Sequence, residues 1–133
     1  MAGWCSGAPG IGLALIAGLD SQNCDSVRKD TENALAFTLN YPLDSSDHIC
    51  CGNSGRLDFL IEAAVKLNRP ELLEEARRRM MGMVIRKRQT GSYTLNNSST
   101  GAVYNPSFFQ GTAGIGYEIL RCLAPKMFYS VLY

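Results

Sequence analysis

The sequence predicts an all-α fold in which short, glycine-led apolar helices alternate with longer, charged helices. Three observations support this prediction: a Gly-x-x-Gly step that occurs three times, an apolar run after each step, and amphipathic charged segments between the steps. Small residues allow helices to approach closely, and a charged face suits an outer layer. We therefore expect part of an α/α toroid, with the glycine-led helices on the inside.

The three Gly-x-x-Gly steps mark the starts of the predicted inner helices. They begin at Gly7, Gly52 and Gly111, so 45 and 59 residues separate successive steps, close to the period of helical repeats. The apolar residues that follow the second step at helical spacing are Leu57, Leu60, Ile61, Ala64 and Val65. Those that follow the third step are Ile115, Ile119, Leu120 and Leu123. Pro125 then ends the third run.

Two charged segments between the steps predict outer helices. Asp25 or Ser26 can cap the first of them, and Pro70 suits the first turn of the second. The apolar face of the second helix is formed by Leu72, Leu73, Ala76, Met80 and Val84. We interpret its arginines, within 77–79 and 86–88, as a solvated basic face that complements the helix dipole.

The segment 92–104 has a different pattern from the helices around it. The strings SYTL and AVY flank a polar turn of Asn, Ser, Thr and Gly, which predicts a short β-hairpin or a long loop. No composition change marks a linker, so we expect a single domain over 1–133.

Composition and charge exclude several classes of function. The 133 residues are 46% hydrophobic and 19% charged, with a formal net charge of +1, which gives no nucleic-acid footprint. The apolar stretch 8–19 is too short to span a bilayer. No basic residue precedes it, because the first Lys or Arg is Arg28, so a secretory signal is not expected. We predict a cytoplasmic protein with no nucleic-acid partner and no membrane span.

Three cysteines lie immediately before the first two glycine steps. Cys5 precedes the first, and the adjacent Cys50 and Cys51 precede the second. Equivalent positions on consecutive inner helices of a toroid face one centre, and helix N-termini lower the pKa of a thiol. Three converging thiolates would make a zinc site with one open position. The alternative is that they fill the core, which is our interpretation of Cys24 and Cys122.

Three other side chains are candidates for a site near these cysteines. His48, two residues before Cys50, is either a substitute proton donor or a solvated loop residue beside Asp47. Trp4 and Tyr117 are expected to pack near the centre of the toroid, where either could also touch a substrate.

Three segments of the chain resemble the C-terminal end of the lanthionine cyclase family, and they occur in the family's order. They read WCSGAPGIGLAL, CCGNSGRLDFLIEAA and FFQGTAGIGYEILRCLAP. The last is similar in particular to the cyclase domain of class II lanthipeptide synthetases, which are bifunctional dehydratase–cyclases. In that family a W-C-x-G cysteine and a C-H-G pair bind catalytic zinc within an α/α toroid. The resemblance therefore implies Zn²⁺ bound by Cys5, Cys50 and Cys51.

The chain departs from the family pattern in two ways. The usual histidine of the C-H-G pair is Cys51 here, which makes the site a three-cysteine variant. The W-C-x-G motif also stands almost at the start, so we expect residues 1–133 to be the C-terminal portion of the cyclase domain. The upstream cyclase half, with the family's acid/base histidine, and the dehydratase domain would then be partners of this portion. We expect the isolated fragment to be inactive.

The resemblance implies formation of thioether rings in lanthipeptide (lantibiotic) biosynthesis. Zinc would hold a cysteine of the dehydrated precursor peptide as a thiolate, which adds to the β-carbon of dehydroalanine or dehydrobutyrine. A protonated group then quenches the enolate, which leaves lanthionine or methyllanthionine. One alternative is a non-catalytic, zinc-stabilised helical fragment that needs a partner chain. Another is a sugar-processing toroid, although we expect its candidate carboxylates, Asp58 and Glu62, to face neighbouring helices.

Overall fold

The computed structural model describes residues 2–22, 24–43, 46–95 and 104–132, which contain five α-helices and no strand. The helices are α1 (Ala8–Gly18), α2 (Asp25–Asn40), α3 (Asn53–Lys66), α4 (Pro70–Thr90) and α5 (Thr112–Leu123). The predicted all-α class is confirmed. Most of the predicted hairpin, residues 96–103, lies outside the described residues. Among the described helices, none has the length and apolar character needed to cross a membrane.

The five helices form two layers. Helices α1, α3 and α5 make an inner row with α3 in the middle, while α2 packs on α1, and α4 packs on α3 and α5. The loops that precede the inner helices also lie side by side, because backbone hydrogen bonds join the first loop to the second and the second to the third. The inner helices therefore begin at the same end of the molecule. This is the predicted alternation of inner and outer helices in part of an α/α toroid.

Helix α3 is the centre of the core. All of its residues from Asn53 to Ala64 are buried, because α1, α4 and α5 cover it on several sides. Gly12 of α1 lies directly against the Phe59 ring, so the two helices approach as closely as a residue without a Cβ permits. Val65, predicted to lie on the apolar face, is instead exposed at the end of the helix.

Helix α5 buries a different face from the one predicted. Ile115 is buried as expected, but Leu120 and Leu123 are exposed. The face that meets α3 carries Glu118 and Arg121 instead, and these side chains are paired with charges on α3. Apolar side chains are exposed on α5 and also on α1. Both ends of the inner row therefore carry exposed apolar groups, as a partial toroid requires.

The outer helices begin close to the predicted positions. Helix α2 starts at Asp25 with Cys24 as its N-cap residue, and α4 starts at Pro70 and ends before Gly91, which is left-handed (φ 90°). Cys24 is exposed, so its interpretation as a core residue is wrong. Cys122 is buried, as predicted.

The arginines of α4 are only partly a solvated face. Arg78 is exposed as predicted, but Arg77 and Arg79 bind backbone carbonyl groups at the C-terminal ends of α5 and α2. Arg79 donates hydrogen bonds to the carbonyl oxygens of Thr38, Leu39 and Tyr41 at 3.3, 2.5 and 2.8 Å. The last carbonyls of a helix have no partners within it. Arg79 therefore caps the C-terminal end of α2 and ties the two outer helices together.

The second glycine of each step lies under a carbonyl group of the loop before it. Gly10 meets the Trp4 carbonyl, Gly55 meets the Ile49 carbonyl and Gly114 meets the Phe108 carbonyl, and a Cβ atom at each glycine would overlap that oxygen. The same contact thus recurs at the N-terminus of all three inner helices. Each loop is held against its own helix at the position where only glycine fits.

This contact predicts opposite effects for two substitutions in one helix. Gly114→Ala should destabilise the protein by about 1–3 kcal/mol, because the methyl group overlaps the Phe108 carbonyl. Gly116→Ala, where nothing lies within 4 Å of the added Cβ, should stabilise it by about 0.5–1 kcal/mol, since alanine favours the helix. Urea unfolding followed by circular dichroism measures both. Equal effects of the two substitutions would contradict the role given to the carbonyl contact.

Candidate metal centre

Two adjacent loops carry the three predicted cysteines. The backbone N–H of Cys5 donates to the carbonyl of Cys50 at 3.3 Å, which joins the loop before α1 to the loop before α3. In the second loop, the Gly52 N–H donates to the His48 carbonyl at 3.1 Å and closes a turn that contains both Cys50 and Cys51. The backbone therefore bends at the two adjacent cysteines, which lie outside the regular part of α3.

The structure brings the sulfur atoms of Cys5, Cys50 and Cys51 together. All three Sγ atoms lie within 4.8 Å of one another, and those of Cys50 and Cys51 are 3.4 Å apart. Cys5 and Cys51 are exposed and Cys50 is partly buried, so a ligand from solution can reach the cluster. Thiolates are strong ligands for thiophilic metal ions such as zinc. This group of side chains could hold a metal ion.

Two of the three sulfurs also form a contact that was not predicted. Cys5 and Cys51 are paired as a disulfide with their Cα atoms 6.1 Å apart, while Cys50 has a free thiol. A thiolate is the form of cysteine that binds a metal, so the disulfide and a metal bound by all three sulfurs exclude each other. The metal-binding arrangement therefore requires the reduced form of Cys5 and Cys51.

His48 is buried behind the cysteine turn. Its side chain is only 7% exposed, and its Nδ1 accepts a hydrogen bond from the backbone N–H of Cys51 at 3.3 Å. The interpretation of His48 as a solvated loop residue is therefore wrong. Because a nitrogen that accepts a hydrogen bond carries no proton, Nδ1 supports the turn in this arrangement, and any transferable proton would be on Nε2.

Asp47 anchors the same loop, a role that no sequence motif predicted. Its carboxylate accepts hydrogen bonds from the Asn53 side chain at 2.8 Å and from the Thr94 backbone at 3.0 Å, and it pairs with Arg86. Asp47 is almost completely buried, and a buried carboxylate needs such partners. The loop that carries Cys50 and Cys51 is thereby fixed to the start of α3, to α4 and to the segment after α4.

Trp4 lies beside the cysteines, whereas Tyr117 lies under the C-terminal segment. The Trp4 indole N–H donates to the Leu132 carbonyl at 3.1 Å. The Tyr117 hydroxyl donates to the Tyr129 carbonyl at 2.8 Å, and its ring packs on Phe108, 5.6 Å between ring centroids. The two candidate substrate contacts thus pack on adjacent residues of the third loop, Trp4 on Phe109 and Tyr117 on Phe108.

A buried cluster of charges joins α3 to α5. The Arg121 guanidinium pairs with the carboxylates of Asp58 and Glu62, and it lies 3.4 Å from Glu118. Asp58 also accepts a hydrogen bond from Ser130 at 2.8 Å, which holds the C-terminal segment against α3. Asp58 and Glu62 therefore face a neighbouring helix, as expected. They are not the open carboxylate pair that a sugar-processing site needs.

Glu118 differs from the other two carboxylates of this cluster. Burial raises the pKa of Glu118 well above its usual value, and the nearby charge of Glu62 adds to the effect. One of its oxygens, Oε1, has no hydrogen-bond partner among the residues that the structure describes. We expect Glu118 to stay protonated to a higher pH than an ordinary glutamate, because it is buried and because two carboxylates, Asp58 and Glu62, already pair with the single positive charge of Arg121.

The glycine-led helices form a row, and the loops at their N-termini bring three cysteine sulfurs together. These features define a helical repeat protein with a cysteine-rich centre. The chain belongs to the lanthionine synthetase C-like family, whose model, described as "Lanthionine synthetase C-like protein", matches residues 1–133. Comparisons with curated protein sequences and with solved structures gave no match. Members of the family are in general lanthionine cyclases that act on lanthipeptide precursors, and the predicted family and fold class are confirmed.

The raised pKa of Glu118 predicts a loss of stability as the pH rises. A group whose pKa is higher in the folded state stabilises the protein below its unfolded pKa, and this stability is lost as the pH rises through the folded pKa. Glu118→Gln should remove this dependence, because glutamine stays neutral. Urea unfolding at several pH values, from about 4, close to the usual glutamate pKa, to about 8, measures this dependence. Glu74→Gln, at an exposed position on α4, is the control and should leave the dependence unchanged.

The disulfide contact predicts which cysteines cross-link on oxidation. Mild oxidation of the metal-free chain should link Cys5 to Cys51 and leave Cys50 open to alkylation. Peptide mapping by mass spectrometry detects the link. The Cys50→Ser variant should still form the disulfide between Cys5 and Cys51, whereas the Cys51→Ser variant should form no disulfide with Cys5. Equal cross-linking in the two variants would contradict the pairing.

Proposed function

We propose that residues 1–133 are the zinc-bearing, C-terminal portion of the cyclase domain of a class II lanthipeptide synthetase. The observation that carries the proposal is the convergence of the Sγ atoms of Cys5, Cys50 and Cys51 within 4.8 Å at the N-termini of two inner helices. The family match supports the reaction class. The product is a lanthionine or methyllanthionine ring.

The donor set at this centre fits zinc. Structural and catalytic zinc sites use thiolates, and a site with three protein ligands leaves a fourth position for a substrate. A disulfide needs only Cys5 and Cys51, whereas one ion bound by all three sulfurs also uses the Cys50 thiol, which lies 3.4 Å from Cys51. We place the protein in the cytoplasm, where thiols stay reduced. Reduced thiols are the state that the zinc site requires.

The three sulfurs also set the charge of the proposed site. When bound, zinc supplies the positive charge that keeps a fourth, incoming thiol deprotonated near neutral pH. Three cysteine thiolates around a dication leave one negative charge, whereas two thiolates and a neutral imidazole leave none. Cys51 therefore weakens the attraction for the peptide thiolate and leaves it more nucleophilic than a histidine at this position would.

Ring closure also requires a proton donor. Addition of the peptide thiolate to the β-carbon of the dehydroamino acid leaves an enolate that must be protonated. His48 is a poor candidate, because it is buried and its Nδ1 supports the Cys51 backbone. We assign the proton to a residue in the upstream part of the synthetase. The precursor peptide and that upstream part are then the partners of this chain.

A non-catalytic helical module is the second candidate function. The observation that favours it is the exposure of apolar side chains at both ends of the inner row, such as Ile11 on α1 and Leu123 on α5. Such groups are normally covered by neighbouring repeats or a partner. Under this alternative the chain binds zinc only for stability, and activity measurements separate the two.

Zinc binding tests the assignment of the ligands. We expect the reduced chain to bind one zinc ion, and Cys5→Ser, Cys50→Ser and Cys51→Ser each to lose it, because two thiolates and water bind zinc far less tightly than three thiolates. Elemental analysis after dialysis measures the content. Cys24→Ser, at an exposed cysteine outside the cluster, is the matched control and should retain the zinc. Full zinc content in both Cys50→Ser and Cys51→Ser would refute the assignment.

Activity separates zinc binding from catalysis. We expect the isolated chain to bind zinc yet cyclise a dehydrated precursor no faster than the background reaction, because it lacks the proton donor and much of the positioning that supplies the rate. The complete synthetase should cyclise the precursor and lose that activity in the Cys50→Ser variant. Alkylation of free thiols and mass spectrometry count the rings. Rapid, zinc-dependent ring formation by the isolated chain would overturn this view, and His48→Ala would then test His48 as the acid.

A further inference from the structure

The third inner loop has an aromatic ring where the first two loops have cysteines. Two residues before the first glycine of each step, the chain has Cys5, Cys50 and Phe109. Backbone hydrogen bonds join these equivalent positions, from the Cys5 N–H to the Cys50 carbonyl (3.3 Å) and from the Cys50 N–H to the Phe109 carbonyl (2.9 Å). Phe109 is therefore the next member of the row that contains two of the proposed ligands.

The Phe109 ring is held in a fixed orientation and is still accessible. It stacks on Trp4 with 5.9 Å between ring centroids and 18° between ring planes, and it meets Phe108 edge-on at 5.5 Å. Even so, Phe109 is 47% exposed. Cys5 and Cys51 are exposed as well, so the ring and the thiols are reachable from solution.

We infer that Phe109 is a specificity-determining residue, whose ring packs against the side chain next to the reacting cysteine of the precursor peptide. The inference rests on the proposed function, because it takes the peptide thiol as the group that binds at the three cysteines. Hydrogen-bonded chain segments lie about 4.8 Å apart, and consecutive Cα atoms of a peptide lie about 3.8 Å apart. If the peptide cysteine binds at the metal centre beside Cys50, the peptide residue next to it is therefore within reach of Phe109.

The chemistry of the ring defines the kind of neighbour that it selects. Phenylalanine offers no charge and no conventional hydrogen-bond donor or acceptor, so its main gain in free energy comes from covering apolar surface. Trp4 extends the apolar surface on one side of the ring. The preferred neighbour of the reacting cysteine is therefore a leucine-like or aromatic residue, and glycine gains nothing from the contact.

The test compares two acetylated tetrapeptides, Gly-Leu-Cys-Gly and Gly-Gly-Cys-Gly, for binding to the reduced, zinc-loaded chain. Isothermal titration calorimetry gives the dissociation constants. Fluorescence of Trp4, the only tryptophan of the chain, gives an independent signal at the site. We expect the leucine peptide to bind about tenfold more tightly, as partial burial of one leucine side chain allows.

Substitutions then assign the preference to Phe109. Phe109→Ala should abolish the difference between the peptides, whereas Phe109→Leu, which keeps an apolar side chain, should retain most of it. Phe37→Ala, at an exposed phenylalanine on α2, is the matched control and should retain all of it. Zinc content, measured on each variant, should not change. A leucine preference that survives in Phe109→Ala, or no binding of the leucine peptide at millimolar concentration, would overturn the inference.

A third peptide, Gly-Leu-Ser-Gly, distinguishes failure of this inference from failure of the proposed function. If it binds far more weakly than the cysteine peptide, the thiol is the anchor and both proposals are supported. If the serine peptide and the cysteine peptide bind equally tightly, the proposed thiol site is refuted. A leucine preference that still disappears in Phe109→Ala would then support an apolar peptide subsite at Phe109 by itself.

Discussion

The contact between a loop carbonyl and the second glycine of each step is the constraint on which the rest of the structure depends. It places the carbonyl groups of Trp4, Ile49 and Phe108 directly over the first turn of the helix that follows each loop. The next residue of each loop then lies at the end of the inner row where the helices begin. Because the three loops are built alike, their backbones can bond to one another in register. The cysteines converge because they occupy matching places in neighbouring copies of one loop.

The remaining polar contacts keep this arrangement from shifting. Asp47 fixes the second loop to three surrounding elements, and Arg121 fixes α5 to α3. Both groups are buried, where an unpaired charge would cost several kcal/mol, so each demands the particular geometry that satisfies it. Asp47 acts at the loop that carries Cys50 and Cys51, whereas Arg121 acts along the helices that follow the second and third loops.

Features that depend on residues close together in the chain were predicted from the sequence, whereas features that depend on contacts between distant segments were not. The glycine steps and the spacing of Leu57, Leu60 and Ile61 identify inner helices because they act within one or two turns. The exposure of Leu120 was not predictable in this way, since it follows from Arg121 meeting partners on another helix. The convergence of the cysteines could be predicted from repeat equivalence. Aligning the third step as well would have revealed Phe109, whereas the burial of His48 requires the tertiary structure.

Because residue 51 is a cysteine, the candidate metal centre has only sulfur donors. This donor set limits its selectivity among metal ions. Soft thiolate ligands bind copper(I) and other thiophilic ions at least as readily as zinc, and affinity by itself does not favour zinc over copper. Cys5 and Cys51 are open to solvent, so the described residues present no screen to arriving ions. If the centre binds zinc as proposed, its selectivity must then come from which metal ions are available to it.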